Sequence, residues 1–325
     1  MPKLRIGLVG CGLHADAHVA GLLGTRETID VTAVCDIDQG RAEQRASELD
    51  TPNVFTDYER MLATANIDAV LLCLPHLIHA PATIAAARAG KHVLVEKPIA
   101  TTLEDADAMI TSAEAADVTF MVAHNQRFLP AHQRIKQLLD DGSIGPVECA
   151  RADHNQDFRP PEGHWILDAS AAGGGAFIGY GVHRIDLLRW YVGEVAEIAH
   201  FQRGRRERFG GESTSVTILK FESGAIGEIT INWVVRDPPW MDMIYLYGEK
   251  GSIHNIGGLH VVGESGSTQV ETPVRDPFTL QLEHFAESVM NRTEPLTNGR
   301  DARRTLEVCL AGYRSAETGR VIRLG

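Results

Sequence analysis

The sequence predicts an α/β protein in which a doubly wound parallel sheet is followed by a large, mostly antiparallel one. Three observations point there. Up to residue 124, short and wholly apolar runs alternate with helical segments. A glycine turn, Gly10-Cys11-Gly12, joins the first of these runs to a helix. From residue 147 onward the pattern becomes period-two runs joined by glycine-containing turns. Two domains are therefore expected, residues 1–124 and 125–325, and 325 residues suffice for two cores.

In the first half, residues 4–9 read as a buried strand, 13–23 as a helix and 29–35 as a second strand ending in Asp36. Helices follow at 39–49 and 58–63, and a strand at 69–74 runs into Pro75. A helix at 79–89 is capped by Gly90, and a strand at 92–95 ends in Glu96-Lys97-Pro98. A helix at 103–116 and a strand at 118–122, ending in His124-Asn125, complete the alternation. Such alternation implies right-handed crossovers, and ligands of doubly wound sheets gather at the carboxyl ends of the strands. The residues there are Gly10, Asp36, Leu74, Pro75, Glu96, Lys97, His124 and Asn125.

The opening segment has the order strand, Gly-x-Gly-x-x-Ala turn, helix, strand, acid, which is that of a dinucleotide-binding unit. Gly10 permits a tight turn off the strand. Gly12 lacks the Cβ that would block a pyrophosphate, and Ala15 lets the helix pack on the sheet. Leu13 and His14 lead into the helix, whose first N–H groups face the phosphates. Asp36 is placed to accept both ribose hydroxyls and to repel a 2′-phosphate, so NAD is expected rather than NADP; nearby Arg41 softens that preference.

In the second half a helix is expected at 128–139, strands at 213–221, 225–233 and 243–247, one intervening helix at 175–191, and closing helices at 280–290 and 301–317. The charged run at 203–211, RGRRERFGG, mixes Glu with Arg and reads as a solvated hairpin tip rather than a phosphate site. The net charge of −12, without a basic run, argues against nucleic acid or an anionic membrane as partner. Five scattered cysteines without a C-x-x-C pair suit buried thiols in a reducing cytosol. A faint signal-peptide character at the start is broken by the glycine turn, His14, Asp16 and His18, and no apolar run approaches a membrane span. A cytoplasmic protein is expected, and no metal site is assigned.

Two stretches carry candidate chemistry. Pro98 disfavours the helical conformation for Lys97 and holds it extended at a strand end. A lysine partly desolvated there can exchange a proton with a substrate hydroxyl; a surface Lys–Glu pair is the alternative. In GGGAFIGYGVHRIDLLRW, residues 173–190, three glycines precede a helix carrying Gly179, Tyr180, His183 and Asp186. At α-helical spacing 179, 183 and 186 share a face, as do 180 and 183. His183 is a candidate general base there, a structural histidine being the alternative.

In this order GCGLHA with Asp36, LLCLPHLIHA, LVEKP, HNQRFLP and GGGAFIGYGVHRIDLLRW resemble the Gfo/Idh/MocA oxidoreductase family over nearly the whole chain. The resemblance implies a Rossmann domain, a second domain with a large sheet, a nicotinamide cofactor, a sugar, cyclitol or related polyol as substrate, and sheet-to-sheet homodimers or homotetramers. It makes Lys97 the active-site lysine and His183 the active-site histidine. It puts Asn125 and Arg127 in a loop lining the nicotinamide and substrate, and His79 under the cofactor. The expected cofactor-binding set is thus Gly10, Gly12, Leu13, His14, Asp36, Arg41, Leu74, Pro75, His79, Glu96, Lys97 and Asn125. The expected substrate side is Arg127, Asn155, Trp165, Asp168, Tyr180 and His183, in a polar lining that also holds Asp153, His154 and Asp157. One departure stands out. Many relatives carry Asp one turn before the histidine, where this chain has Gly179, which leaves Tyr180, Asp186, Trp165 or Asp168 to orient His183. The expected activity is an NAD(P)-dependent dehydrogenase of CH–OH groups. The alternatives are a redox-neutral NAD-dependent sugar-processing enzyme and a catalytically silent ligand sensor.

Overall fold

The computed structural model describes residues 3–204 and 208–325. The chain forms two compact units, Met1–Leu129 with Arg275–Arg303, and Pro130–Val274 with Arg304–Gly325.

In the first unit, β1 (Leu4–Val9), β2 (Ile29–Cys35), β3 (Val54–Phe55), β4 (Ala69–Leu72), β5 (His92–Val95) and β6 (Phe120–Val122) form one sheet in the order β3-β2-β1-β4-β5-β6. Every pairing is parallel. The chain starts in the middle and the strand order reverses beside β1, which makes the β1–β4 edge the topological switch point. All of β4 is buried, as a strand covered on both faces must be. Helices α1 (Ala15–Gly24), α2 (Gln39–Leu49), α3 (Tyr58–Thr64), α4 (His76–Arg88) and α5 (Leu103–Ala115) make the crossovers. Three of them start on side-chain caps that satisfy orphan N–H groups, each worth about 1 kcal/mol: Asp38 accepts from Arg41, Asp57 from Glu59 and Arg60, and Thr102 from Asp105. α4 begins three residues earlier than the pattern suggests. Its internal Pro81 masks the first turn in the sequence. β4 correspondingly stops at Leu72, so Leu74 and Pro75 lie in the loop.

The helix Pro277–Asn291 packs into this same unit. Leu282, Phe285 and Ala286 share a core with Leu4, Ile6, Leu8, Val19 and Leu22. Gly21 permits the close approach, since a Cβ there would lie 2.9 Å from that of Phe278. A division at residue 124/125 assigns this helix to the second domain, because periodicity in a sequence reveals an apolar face but not the surface that covers it.

The second unit is built on a nine-stranded sheet: β7 (Val147–Asn155), β8 (Val195–Gly204), β9 (Glu212–Phe221), β10 (Ile226–Asn232), β11 (Asp242–Gly248), β12 (Gly251–His254), β13 (Leu259–Gly263), β14 (Gly266–Val270) and β15 (Ile322–Arg323). Its order is β14-β13-β12-β11-β7-β10-β9-β8-β15. β7 and β10 run parallel, and the remaining pairings are antiparallel. β3, β7, β8, β12–β14 and β15 are not among the strands expected from the sequence; β3 and β15 are short and β14 is exposed and polar, whereas β7 and β8 are long strands that sequence reading misses. β9 alternates strictly from Ser215, burying one face and leaving Val216 and Ile218 on the other. Phe201 of β8 stands opposite Val216 and is 73% exposed.

Helices α6 (Pro130–Asp140), α7 (Ala169–Ala172) and α8 (Val182–Val192) belong to this unit. The single helix expected at 175–191 is instead a π-helical turn, Phe177–Gly181, leading into α8. Outside groups capture N–H donors at its start. The Glu212 carboxylate accepts from Phe177 N–H at 2.7 Å and the Tyr313 hydroxyl from Ile178 N–H at 3.1 Å. A π turn rotates what precedes it, so α-helical spacing does not carry across from Gly179 to His183. The middle of the charged run at 203–211, residues 205–207, lies outside the described residues. Among the described residues no helix is long and apolar enough to cross a membrane, and all five cysteines are free thiols.

Candidate cofactor and proton-transfer site

At the glycine turn, Gly10 has φ +91°, and a Cβ there would lie 2.2 Å from the Cys73 carbonyl oxygen. No other residue type fits. Gly12 is different: a Cβ there would have no described atom within 4 Å. Its bare Cα therefore faces open space, as a ligand-approach position requires. Leu13 and His14 are exposed at the same turn. Asp36 is held from both sides, Oδ2 accepting from Cys11 N–H at 2.7 Å and Oδ1 from Asp38 N–H at 2.8 Å. Each carboxylate oxygen keeps a lone pair for a hydroxyl. Arg41 is mostly exposed and turned to Asp38 at 3.6 Å, so its charge is partly met by the protein itself. Burial pushes the Cys11 and Cys35 thiols up to about 12, which keeps them protonated.

At the neighbouring strand ends, His79 is fully buried. Its Nδ1 lies 2.8 Å from the Pro98 carbonyl oxygen and its Nε2 2.9 Å from that of Leu74. It ties the loop after β4 to the residue that follows Lys97, and burial holds its pKa below the usual histidine range. His79 is thus a strut between these two loops. Glu96 is buried, with Oε1 2.6 Å from His18 Nε2 and 3.1 Å from His14 Nε2, while Oε2 accepts from Lys97 N–H at 3.0 Å. Burial pushes this carboxyl up, but His14 and His18 outweigh it and hold it well below the usual carboxylate range. Glu96 is therefore not half of a surface ion pair. His18 is a site residue the sequence analysis missed, and the His14–His18 spacing of four was its signal. Burial lowers the Lys97 ammonium from the ordinary lysine range, with Glu96 opposing. Asn125 lies in a 3-10 turn after β6, and its Oδ1 is a buried acceptor with no partner among the described residues. Arg127 is buried, 2.6 Å from Asp301, and donates to the Leu296 carbonyl at 3.4 Å. Its guanidinium braces its own unit.

In the second unit His183 is buried on the first turn of α8. The Tyr180 ring meets it edge-on at 5.1 Å and lies parallel to the His154 ring at 3.3 Å. His154 Nδ1 is 2.7 Å from Asp242, which also takes the buried Arg184. Among the residues expected to orient His183, Tyr180 touches it. Asp186 is buried and accepts from the Thr305 hydroxyl at 3.4 Å. Asp168 is exposed and caps α7, its Oδ1 accepting from the N–H and hydroxyl of Ser170 at 2.9 and 2.6 Å. Trp165 packs on the ring of His164 at 5.5 Å. Asn155 accepts from the Asn232 amide at 2.6 Å. Asp153 and Asp157 are taken up by Arg151, and by Arg159 and Arg208.

The glycine turn at the switch point, the pinned acid after β2, the open space over Gly12 and the orphaned Asn125 oxygen fit a dinucleotide and define a nicotinamide-dependent oxidoreductase. The chain belongs to the Gfo/Idh/MocA family: its model for the oxidoreductase family, NAD-binding Rossmann fold, matches residues 4–124, and that for the GFO/IDH/MocA C-terminal domain matches residues 132–254. The chain is similar to myo-inositol 2-dehydrogenase of Thermotoga maritima, 29% identical over 337 residues covering 99% of this chain and 98% of that one. It is also similar to scyllo-inositol 2-dehydrogenase (NAD(+)) of Bacillus subtilis, 29% identical over 340 residues covering 99% and 96%. Levoglucosan dehydrogenase, solved with NADH and levoglucosan, shares the fold with a TM-score of 0.92 at 21% identity, covering 99% of each chain. The protein is an NAD-dependent oxidoreductase acting on CH–OH groups.

Proposed function

We propose that this enzyme is a dehydrogenase of cyclitols or sugars, with Lys97 and His183 as its proton-transfer groups. The observation that carries the reading is full-length similarity to two inositol dehydrogenases, beside the sequence motifs in which Lys97 and His183 stand. NAD, when bound, supplies the hydride acceptor. Gly10, Gly12, Leu13 and His14 are the groups for its phosphates, Asp36 for a ribose diol, and Asn125 Oδ1 for a donor such as a carboxamide. Lys97 and His183 handle the hydroxyl proton as the C–H bond is broken.

The same reading includes a homodimer or homotetramer formed through the open face of the nine-stranded sheet. Phe201, Val216, Ile218, Ile226 and Tyr247 are exposed there, an apolar set that a second copy would cover. It also includes a cytoplasmic location, supported by the five free thiols.

The test is NADH formation from NAD with a panel of inositols, aldoses and other polyols. NADH released in proportion to product supports the dehydrogenase and excludes the redox-neutral alternative. Product without net NADH would favour that alternative. Binding without turnover of any polyol would leave the ligand-sensor reading.

A further inference from the structure

Three potential metal ligands converge in the first unit, of which His14 and Glu96 also stand in the expected cofactor-binding set. His14 and His18 are four residues apart at the start of α1, so their rings leave the helix on the same side. Glu96, from the end of β5, reaches both with one oxygen, 3.1 Å from His14 Nε2 and 2.6 Å from His18 Nε2. The three ligand atoms lie within 4.8 Å of one another. His18 and Glu96 are buried, and the edge-on Phe278 ring, 4.9 Å away, holds the His18 ring in place. His14 is about half exposed, which leaves one side of the cluster open to solvent.

We infer that His14, His18 and Glu96 form a binding site for a divalent transition-metal ion of the zinc class. Two imidazole nitrogens and one carboxylate oxygen with an open fourth position is a donor set that suits Zn²⁺ or Co²⁺, whereas Mg²⁺ and Ca²⁺ prefer all-oxygen shells. The distances state what binding requires. Ligands about 2.0–2.1 Å from a tetrahedral ion sit about 3.4 Å apart. The His14–Glu96 pair is close to that already, and the His18–Glu96 pair opens by somewhat less than 1 Å, within reach of a rotation of the Glu96 side chain. On binding, the His18 ring proton moves to Nδ1, a buried atom with no acceptor among the described residues. Lack of such a partner typically weakens a site 10–100-fold, so the affinity expected is micromolar, on the order of 10⁻⁶ M, rather than that of a structural zinc site. The inference rests on these three side chains; because His14 is also a group proposed for the phosphates, the titrations are made without NAD, so that failure of metal binding and failure of the cofactor reading stay distinguishable.

The experiment is titration of the full-length, metal-stripped enzyme with Zn²⁺ by calorimetry and with Co²⁺ by visible absorption. One ion per chain at micromolar affinity, with the d–d bands of four- or five-coordinate Co²⁺, is the expected result. His14→Ala, at a half-exposed position, and Glu96→Gln should each weaken binding at least tenfold and remove the bands, with folding checked by circular dichroism. If Glu96→Gln fails to fold, His14→Ala alone decides. Absence of the bands in the wild-type enzyme overturns the inference, as does Zn²⁺ affinity unchanged in His14→Ala, and the cluster is then a hydrogen-bonded triad only.

Discussion

The indole of Trp233 fills the space that a side chain at Gly179 would need: a Cβ at 179 would lie 2.6 Å from Cη2 and 2.7 Å from Cζ2 of that ring. Trp233 is itself buried and packed against Phe158 and Phe209. Gly179 is thus not a simple vacancy awaiting the carboxylate that the family resemblance implies at this position. Gly179→Asp should destabilise the fold by about 1–3 kcal/mol, as overpacking does, and lower Tm by about 2–4 °C per kcal/mol. Calorimetric melting of Gly179→Asp, Trp233→Leu and the double variant reads the coupling directly. Additive losses would mean that the two positions do not compete for space.

Asp36 should govern the choice of cofactor. Both its oxygens are anchored by backbone N–H groups, so it cannot swing away from a 2′-phosphate. Asp36→Ala should lose most of the preference for NAD over NADP, measured by calorimetry with each dinucleotide. Equal binding of both by the wild-type enzyme would refute the assignment.

Lys97→Ala and His183→Ala should each lower kcat by about 10²–10⁴-fold, the usual worth of a general acid or base. NAD affinity should change little, because the groups proposed for its phosphates and ribose, the glycine turn and Asp36, are unchanged in both variants. Near-normal turnover in His183→Ala, with loss in Lys97→Ala, would reduce the histidine to a substrate-positioning group.

Two buried histidines of the second unit make stability fall with acid. Burial pushes His132 down to about 3, where its Nδ1 lies 2.7 Å from the Tyr191 hydroxyl, and His200 down to about 4, where its Nδ1 lies 2.7 Å from the Thr217 hydroxyl. The unfolded chain binds these protons near pH 6.5 and the native one does not. Stability is therefore full above that value and falls by about 1.4 kcal/mol per pH unit per histidine down toward the native values. Urea unfolding between pH 7 and pH 4 should show the slope, and His200→Gln should remove one histidine's share of it. A slope unchanged in that variant would contradict the account.

The sheet face should set the oligomeric state. Phe201 and Val216 are cross-strand neighbours with exposed side chains, so Phe201→Glu with Val216→Lys should convert a dimer or tetramer to smaller species by light scattering. A wild-type enzyme that is monomeric at micromolar concentration would refute the assembly.

Much of this protein is decided by local order along the chain. Apolar runs bounded by glycine, proline and acid mark the strands of a doubly wound sheet. Gly10, Gly12 and Asp36 can be read as a cofactor turn because a tight turn, a close approach and a carboxylate at a strand end are local requirements. Lys97 is legible for the same reason, at a strand end before a proline. What tertiary structure alone decides depends on which surfaces meet. The helix Pro277–Asn291 joins the first unit because its apolar face finds α1 and the core around Leu8, a partner more than 250 residues away in sequence. Glu212 and Tyr313 reach in from distant segments to satisfy the first N–H groups of a π turn, across which Gly179 and His183 do not keep α-helical register. Glu96 becomes a buried acceptor for two histidines, Arg127 a brace and Asp168 a cap because hydrogen-bonding groups must be satisfied where the fold leaves them. A sequence states which groups a chain carries, but not which of them the fold has already used.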